Sequence, residues 1–180
     1  MKEVLLCLEK VVRKKEMTAK RISYLALFIA LSVIGGLITL PSPVGSIALD
    51  SFPALIAAVW IDKNSGAIVG TVGHLMSALL GGFVLGPFHI MIAIGMGIIV
   101  WIFGHLYQSF KPIIPNTFFI ITNGFIMPLP FIFIMGFPFF LGILPSLVIA
   151  TVLNLIIAAL LIPRFAPFFK NQLNERPKDV

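Results

Sequence analysis

The order of apolar and polar positions divides the chain into six long apolar segments with short connections. The segments lie at residues 22–40, 52–61, 66–80, 88–107, 113–135 and 138–162. A helix needs about 20 residues to cross a hydrocarbon core of about 30 Å, and the second segment is short even if it begins near Ile47. No segment alternates polar and apolar residues as a transmembrane β-strand does. The pattern therefore predicts an all-α integral membrane protein, a six-transmembrane-helix bundle.

Composition supports a lipid environment. Of the 180 residues, 59% are apolar and 11% are charged, and the mean hydropathy is +1.08. A soluble domain carries roughly 25% charged residues, because its surface faces water. The first apolar segment is long for a signal peptide and is not followed by a small-x-small cleavage site. We interpret it as the first span.

The positions of lysine and arginine predict the orientation. With the N-terminus inside, all 13 of these residues fall on cytoplasmic segments, as the positive-inside rule requires. We therefore expect both termini to be cytoplasmic. We divide the chain into a basic N-terminal extension (1–16), a six-helix membrane domain (17–163) and a cytoplasmic tail (164–180). The extension is interpreted either as a surface helix on anionic lipid or as a product of start-site choice, and Met17 favours the second.

Asp50 is the only formal charge predicted on the outer face. It lies in TLPSPVGSIALDSFP, residues 39–53, with no lysine or arginine within ten positions on either side. One interpretation is that Asp50 caps the second helix, with Pro53 in the first turn of that helix. The other is that its carboxylate contacts a ligand. The two roles are compatible.

Several polar and aromatic residues are candidates for a ligand site. Polar side chains at membrane depth are costly and usually face the bundle interior or a wet cavity. Asp50, His74 and His89 are expected to converge at the outer end of the bundle, near the phenylalanine-rich segment MPLPFIFIMGFPFF, residues 127–140. An aromatic cavity with a few polar groups is typical of a small-molecule site. The predicted ligand-binding residues are Asp50, Ser51, His74, Phe88, His89 and Asn123.

Motifs of enzymes and metal sites are missing from the sequence. There is no Gly-x-Ser-x-Gly, no His-Glu-x-x-His and no phosphate-binding loop. The spacings between Asp50, His74 and His89 match no local metal motif, and the single cysteine excludes an internal disulfide. We expect no catalytic activity, no metal, no cofactor and no nucleic-acid partner. Any uphill transport would need energy from another protein.

Small residues recur at helical spacing in three of the segments. Ala26 and Ala30 form an A-x-x-x-A step, and glycines recur along the third and fourth segments. Small residues at i and i+4 let helices approach closely in lipid. Packing within the bundle is the expected role in the third and fourth segments. Ala26 and Ala30 are equally compatible with a groove for a helix of another protein.

The chain resembles the S components of energy-coupling factor (ECF) transporters. The shared features are its length, the six apolar segments, the Ala26-x-x-x-Ala30 step and the long first outer loop. The resemblance covers the chain from about Met17 onward. It implies a vitamin-binding subunit in the bacterial cytoplasmic membrane, a multi-pass part of an ABC-type importer. It also implies that Ala26 and Ala30 dock on the coupling membrane subunit, which two cytoplasmic ATPases drive.

Two stretches look most like the branch of this family assigned to α-ribazole, the lower-ligand nucleoside of cobalamin. They are TLPSPVGSIALDSFP, residues 39–53, and GAIVGTVGHLMSALLGGFVLGPFHIMIA, residues 66–93. The resemblance implies α-ribazole uptake for cobalamin synthesis. A benzimidazole base would stack on phenylalanines, and ribose hydroxyls would pair with Asp50, a histidine or Asn123. The alternatives are an S component for pantothenate, riboflavin, pyridoxine or cobalamin, a non-transport membrane scaffold, or a small intramembrane enzyme.

Overall fold

A computed structural model of the chain describes the backbone of residues 2–41 and 46–173 and the side chains of residues 19–38, 48–165 and 167. It is helical apart from one short antiparallel hairpin and the connections. The helices are α1 (Lys2–Leu37), α2 (Phe52–Trp60), α3 (Lys63–Leu80), α4 (Phe88–Ser109), α5 (Ile113–Ile121), a π-helical turn (Thr122–Ile126), α6 (Pro130–Met135) and α7 (Phe137–Leu173). The hairpin pairs β1 (Thr39–Pro41) with β2 (Ser46–Ala48).

Four helical segments of the described chain are long and apolar enough to cross a membrane. They are Ala19–Leu37, Phe88–Ser109, Ile113–Met135 and Phe137–Phe165. The predicted count of six is not confirmed, because α2 and α3 do not qualify. The nine residues of α2 extend only about 13 Å at 1.5 Å per residue. The longer α3 carries Lys63, Asn64 and His74, which reduce its hydropathy.

The short helix α2 is the centre of the bundle. Residues 53–58 of this helix are all buried, and α2 contacts α1, α3, α4 and α7. A helix that is apolar on every side is stable only when other elements surround it. The structure therefore uses α2 as a core element, which explains why it does not need the length of a membrane span.

Glycines let the helices around α2 approach closely. A Cβ atom on Gly66 of α3 would lie 2.6 Å from the Cα of Ala58 in α2. A Cβ on Gly73 would lie 2.6 Å from the Cβ of Ser32 in α1. The expected packing role of the small residues in α3 is confirmed. Ala26 and Ala30, in contrast, are exposed on α1.

One end of the bundle is marked by Arg21 and is called the Arg21 end. Arg21 Nη2 lies 2.7 Å from Asp62 Oδ2, and Asp62 caps α3 by accepting a hydrogen bond from Ser65 N at 2.9 Å. Lys63 lies 4.5 Å from the ring centre of Trp101 in α4. The start of α3 is therefore tied to both α1 and α4. The opposite end is called the Asp50 end.

The helices α1 and α7 pass without interruption through two predicted domain boundaries. α1 begins at Lys2 and α7 ends at Leu173. Helical continuity says nothing about whether residues 1–16 form an extension or residues 164–180 a tail, and both boundaries stay predictions. Between α6 and α7 the chain turns at Gly136, whose φ of +87° suits glycine.

Candidate ligand-binding site

The start of α2 is held by a side chain from α7. Asn154 Oδ1 accepts hydrogen bonds from Ser51 N at 3.0 Å and from Phe52 N at 2.8 Å. Asn154 Nδ2 donates to Ala48 O at 2.9 Å and to Ala150 O at 2.8 Å. An asparagine amide has two donor hydrogens and two acceptor lone pairs, so Asn154 uses its full capacity. It fixes both β2 and the start of α2 against α7.

The interpretation of Asp50 as the cap of α2 is wrong. Ser51 occupies the N-cap position and its side chain makes no capping hydrogen bond. The N–H of Phe52, which a cap at position 50 would satisfy, instead donates to Asn154, which lies 102 positions away. Pro53 does lie in the first turn, as expected. The carboxylate of Asp50 is therefore available for other contacts.

Asp50 contacts α3 instead. Its Oδ2 lies 2.8 Å from His74 Nδ1, and its Oδ1 accepts a hydrogen bond from Ser51 Oγ at 2.9 Å. Asp50 lies in the connection between α1 and α2, outside the four candidate spans, and is buried. Burial raises the pKa of its carboxyl group, but His74 and Ser51 outweigh that effect and keep the pKa below its ordinary value. The group is therefore ionised at neutral pH.

His89, at the start of α4, lies beside His74. The centres of the two imidazole rings are 5.7 Å apart, and Phe83 lies 5.1 Å from the ring centre of His89. The turn before α4 has positive φ angles at Gly82, Phe83 and Gly86, and Leu85 N in this turn donates to His89 Nε2 at 3.3 Å. The turn thus sets the orientation of the His89 ring.

The histidine pair contains two buried nitrogen atoms with no hydrogen-bond partner among the described residues. They are His74 Nε2 and His89 Nδ1. Ser32 Oγ, between α1 and α3, is the third such atom in the described part of the chain. Buried polar atoms in native proteins nearly always have a partner, so each exception requires an explanation. Here the two exceptions lie on neighbouring rings, and each has hydrogen-bonding capacity that the described residues do not use.

Phe88 packs against the phenylalanine-rich segment. Its ring centre lies 6.1 Å from that of Phe131, which lies 6.0 Å from that of Phe139. Not every phenylalanine of this region packs inside the bundle. The side chain of Phe133 is 91% exposed, and Phe125 and Phe137 are exposed as well. Their exposure places these three rings on the outside of the bundle.

Asn123 belongs to a different polar contact. It lies in the π-helical turn, and its Nδ2 donates to Thr151 Oγ1 at 2.8 Å. Thr151 Oγ1 in turn donates to Leu147 O at 2.7 Å. The structure thus brings together Asp50, Ser51, His74 and His89, whereas the side chain of Asn123 contacts α7.

Sequence reasoning missed the contribution of Asn154. The residue was visible as a polar position near the middle of the last span, one turn after Thr151. Its partners are backbone atoms more than a hundred positions away, and spacing along the chain gives no sign of them. Among the described residues, no group of three or more histidine, cysteine or acidic side chains is arranged to hold a metal ion.

The apolar helices are those of a multi-pass membrane protein, and the buried cluster of Asp50, His74 and His89 is its candidate small-molecule site. The model of the family "ECF transporter, substrate-specific component" matches residues 20–173, and the chain belongs to this family. Comparisons with curated proteins and with solved structures gave no match. Members bind a small-molecule substrate and partner with the ECF module in the membrane. The family consists of transporter components and not of enzymes.

Proposed function

We propose that this chain binds α-ribazole for an ECF importer in the bacterial cytoplasmic membrane. The observation that carries the proposal is the buried cluster of Asp50, His74 and His89, in which two ring nitrogens have no partner in the described part of the chain. The choice of α-ribazole depends on the resemblance of residues 39–53 and 66–93 to the branch assigned to that nucleoside. The cluster suits a ligand that combines hydroxyl groups with a flat apolar base.

Aromatic side chains at the Asp50 end supply surfaces for such a base. Phe83 packs on His89, and Phe88 packs on Phe131. Aromatic rings stack on flat heterocycles and bury large apolar area. We propose that the benzimidazole base lies among these rings and that the ribosyl group lies at the histidines. Ser51 and Asn123 remain proposed contributors to the site.

The proposed topology has six crossings and cytoplasmic termini. The contacts of Arg21, Lys63 and Trp101 join three helices at the Arg21 end, which we propose is the cytoplasmic end. All 13 lysines and arginines of the sequence fall on the segments that are predicted to lie on this side of the membrane. Lysine and arginine are enriched in cytoplasmic loops, which supports placing the Asp50 end outside.

A labelling experiment tests this orientation. Cys7 is replaced by serine, and a single cysteine is placed at Val84, whose side chain is 84% exposed, or at Lys111 as the matched control. A membrane-impermeant maleimide added to intact cells should label the cysteine at position 84 and should spare the one at 111. The reverse pattern would contradict the proposed orientation.

The partner surface is proposed to include Ala26 and Ala30. Both are exposed on α1, where a small-residue step allows close approach of another helix. We propose that the coupling membrane subunit of the ECF module docks here and that two cytoplasmic ATPases supply the energy. This proposal agrees with the lack of a phosphate-binding loop in the sequence.

Native mass spectrometry of the detergent-purified chain, followed by calorimetric titration with α-ribazole, tests the function. The tryptophans are poor reporters, because Trp60 contacts Ile162 and Trp101 contacts Asn64, both near the Arg21 end. We expect a bound mass equal to α-ribazole and saturable binding. If the bound mass is that of another vitamin, such as riboflavin, pyridoxine, pantothenate or cobalamin, the proposed substrate is wrong and the transporter class still holds. Absence of any ligand would favour a scaffold.

A further inference from the structure

The protonation of His89 follows from its contact with the backbone. Leu85 N lies 3.3 Å from His89 Nε2, and a backbone N–H can only donate. His89 Nε2 must therefore accept, which requires the ring to be neutral with its proton on Nδ1. His89 Nδ1 is the buried atom without a partner among the described residues. The unsatisfied group on His89 is therefore a hydrogen-bond donor.

The orientation of His74 follows from its contact with Asp50. An ionised carboxylate only accepts hydrogen bonds, so the 2.8 Å contact with Asp50 Oδ2 requires a proton on His74 Nδ1. His74 Nε2 is then the free atom of the ring. It accepts a hydrogen bond when the ring is neutral and donates one when the ring is protonated. A hydroxyl group both donates and accepts, and so it pairs with His74 Nε2 in either state.

A metal ion does not fit these two atoms. A metal would need a lone pair on His89 Nδ1, whereas the contact with Leu85 N places the proton there. A third ligand is also missing, because the described residues contain no group of three or more metal-binding side chains. The unpartnered nitrogens instead suit an organic ligand with hydroxyl groups.

We propose that His74 Nε2 and His89 Nδ1 bind two hydroxyl groups on adjacent carbons of the ligand, such as those of a ribosyl group. The ring centres are 5.7 Å apart, so neighbouring hydroxyls can each reach one ring. Asp50 is then a positioning residue: its carboxylate holds His74 through Oδ2 and accepts from Ser51 through Oδ1. This inference rests on the proposed function and specifies which part of the substrate the cluster recognises.

Ligand analogues test the inference on the whole purified chain. Calorimetric titrations compare α-ribazole with its 2′-deoxy analogue. Removal of one hydroxyl should weaken binding about 10-fold or more, because a buried histidine nitrogen is left unpaired. Equal affinity for the two ligands would overturn the inference while leaving the proposed function intact. If the co-purifying ligand is a different vitamin without adjacent hydroxyls, both the inference and the choice of α-ribazole fail.

Paired variants separate the ligand-facing atom of each histidine from its structural contact. An asparagine amide can take the position of Nδ1, and a glutamine amide that of Nε2. His89→Asn keeps the ligand-facing donor, whereas His89→Gln keeps the acceptor for Leu85 N. His74→Asn keeps the donor for Asp50, whereas His74→Gln keeps the ligand-facing group.

The readout is the ratio of the two affinities, α-ribazole over the deoxy analogue. The ratio should fall towards 1 in one of His89→Gln and His74→Asn, namely the variant that has lost the partner of the 2′-hydroxyl, and should be largely retained in the other three variants. General loss of structure would weaken both ligands equally and would not produce this pattern. An unchanged ratio in His89→Gln and His74→Asn, in protein that still binds α-ribazole, would overturn the assignment of these nitrogens.

Discussion

Asn154 of α7 holds the start of α2, and its replacement by leucine is expected to lower the free energy of unfolding by about 3 kcal/mol. Leucine has a similar volume but no polar atoms. It leaves three backbone groups without a partner, namely the N–H groups of Ser51 and Phe52 and the carbonyl of Ala48. Each unsatisfied buried group costs about 1–3 kcal/mol, and the lower value gives the total. The carbonyl of Ala150 keeps its helical partner.

Thermal unfolding of the detergent-purified protein measures this loss. A change of 1 kcal/mol shifts Tm by about 2–4 °C in proteins of 150–250 residues, so Asn154→Leu should lower Tm by about 6–12 °C. Thr151→Val is the matched control, because Thr151 is equally buried one turn earlier on α7. It leaves only the amide of Asn123 without a partner and should cost about 1 kcal/mol.

Hydrogen–deuterium exchange locates the effect. The amides of Ser51 and Phe52 should exchange faster in Asn154→Leu and should stay protected in Thr151→Val. The reasoning would be refuted if the two variants lowered Tm equally and both amides stayed protected in Asn154→Leu. That result would mean that Asn154 is one of many equivalent polar contacts and does not hold the start of α2.

Three further predictions concern the packing and docking of the helices. Ala26→Trp should block assembly with the ECF module and leave α-ribazole affinity unchanged, whereas Leu160→Trp, at an exposed position on α7, should assemble normally in a pull-down. Gly66→Ala should cost about 1–3 kcal/mol, because its Cβ would overlap backbone atoms of α2, whereas Gly124→Ala has ordinary space and should change Tm little. Asp62→Ala removes the cap of α3 and should cost about 1 kcal/mol, whereas Asp62→Asn keeps most of that stability.

Each of these predictions has a contradicting result. Assembly of Ala26→Trp with the module would place the docking surface elsewhere. Equal Tm values for Gly66→Ala and Gly124→Ala would mean that α2 and α3 are less closely packed than the structure shows. An equal loss in Asp62→Ala and Asp62→Asn would assign the effect to the ion pair with Arg21, although an exposed pair of this kind contributes only about 0–1 kcal/mol.

The sequence predicted the helical architecture and the meeting of Asp50 with His74 and His89. Both predictions depend on position along apolar segments, because residues near the same end of neighbouring spans come close together. The role of Asn154 could not be predicted, because it depends on pairing with backbone atoms of a distant loop. Composition also does not show which phenylalanines are exposed, because that depends on how the helices of residues 122–140 are oriented.

The peptide bond between Asp50 and Ser51 links two helices at opposite sides of α2. Asp50 is held by His74 of α3, and Ser51 is held through its N–H by Asn154 of α7. A relative movement of α3 and α7 must therefore break one of these hydrogen bonds or carry the segment along. If the proposed ligand holds His74 in place, it also restrains α7 through two adjacent residues. Occupancy of the proposed site would then be mechanically coupled to the spacing of α3 and α7.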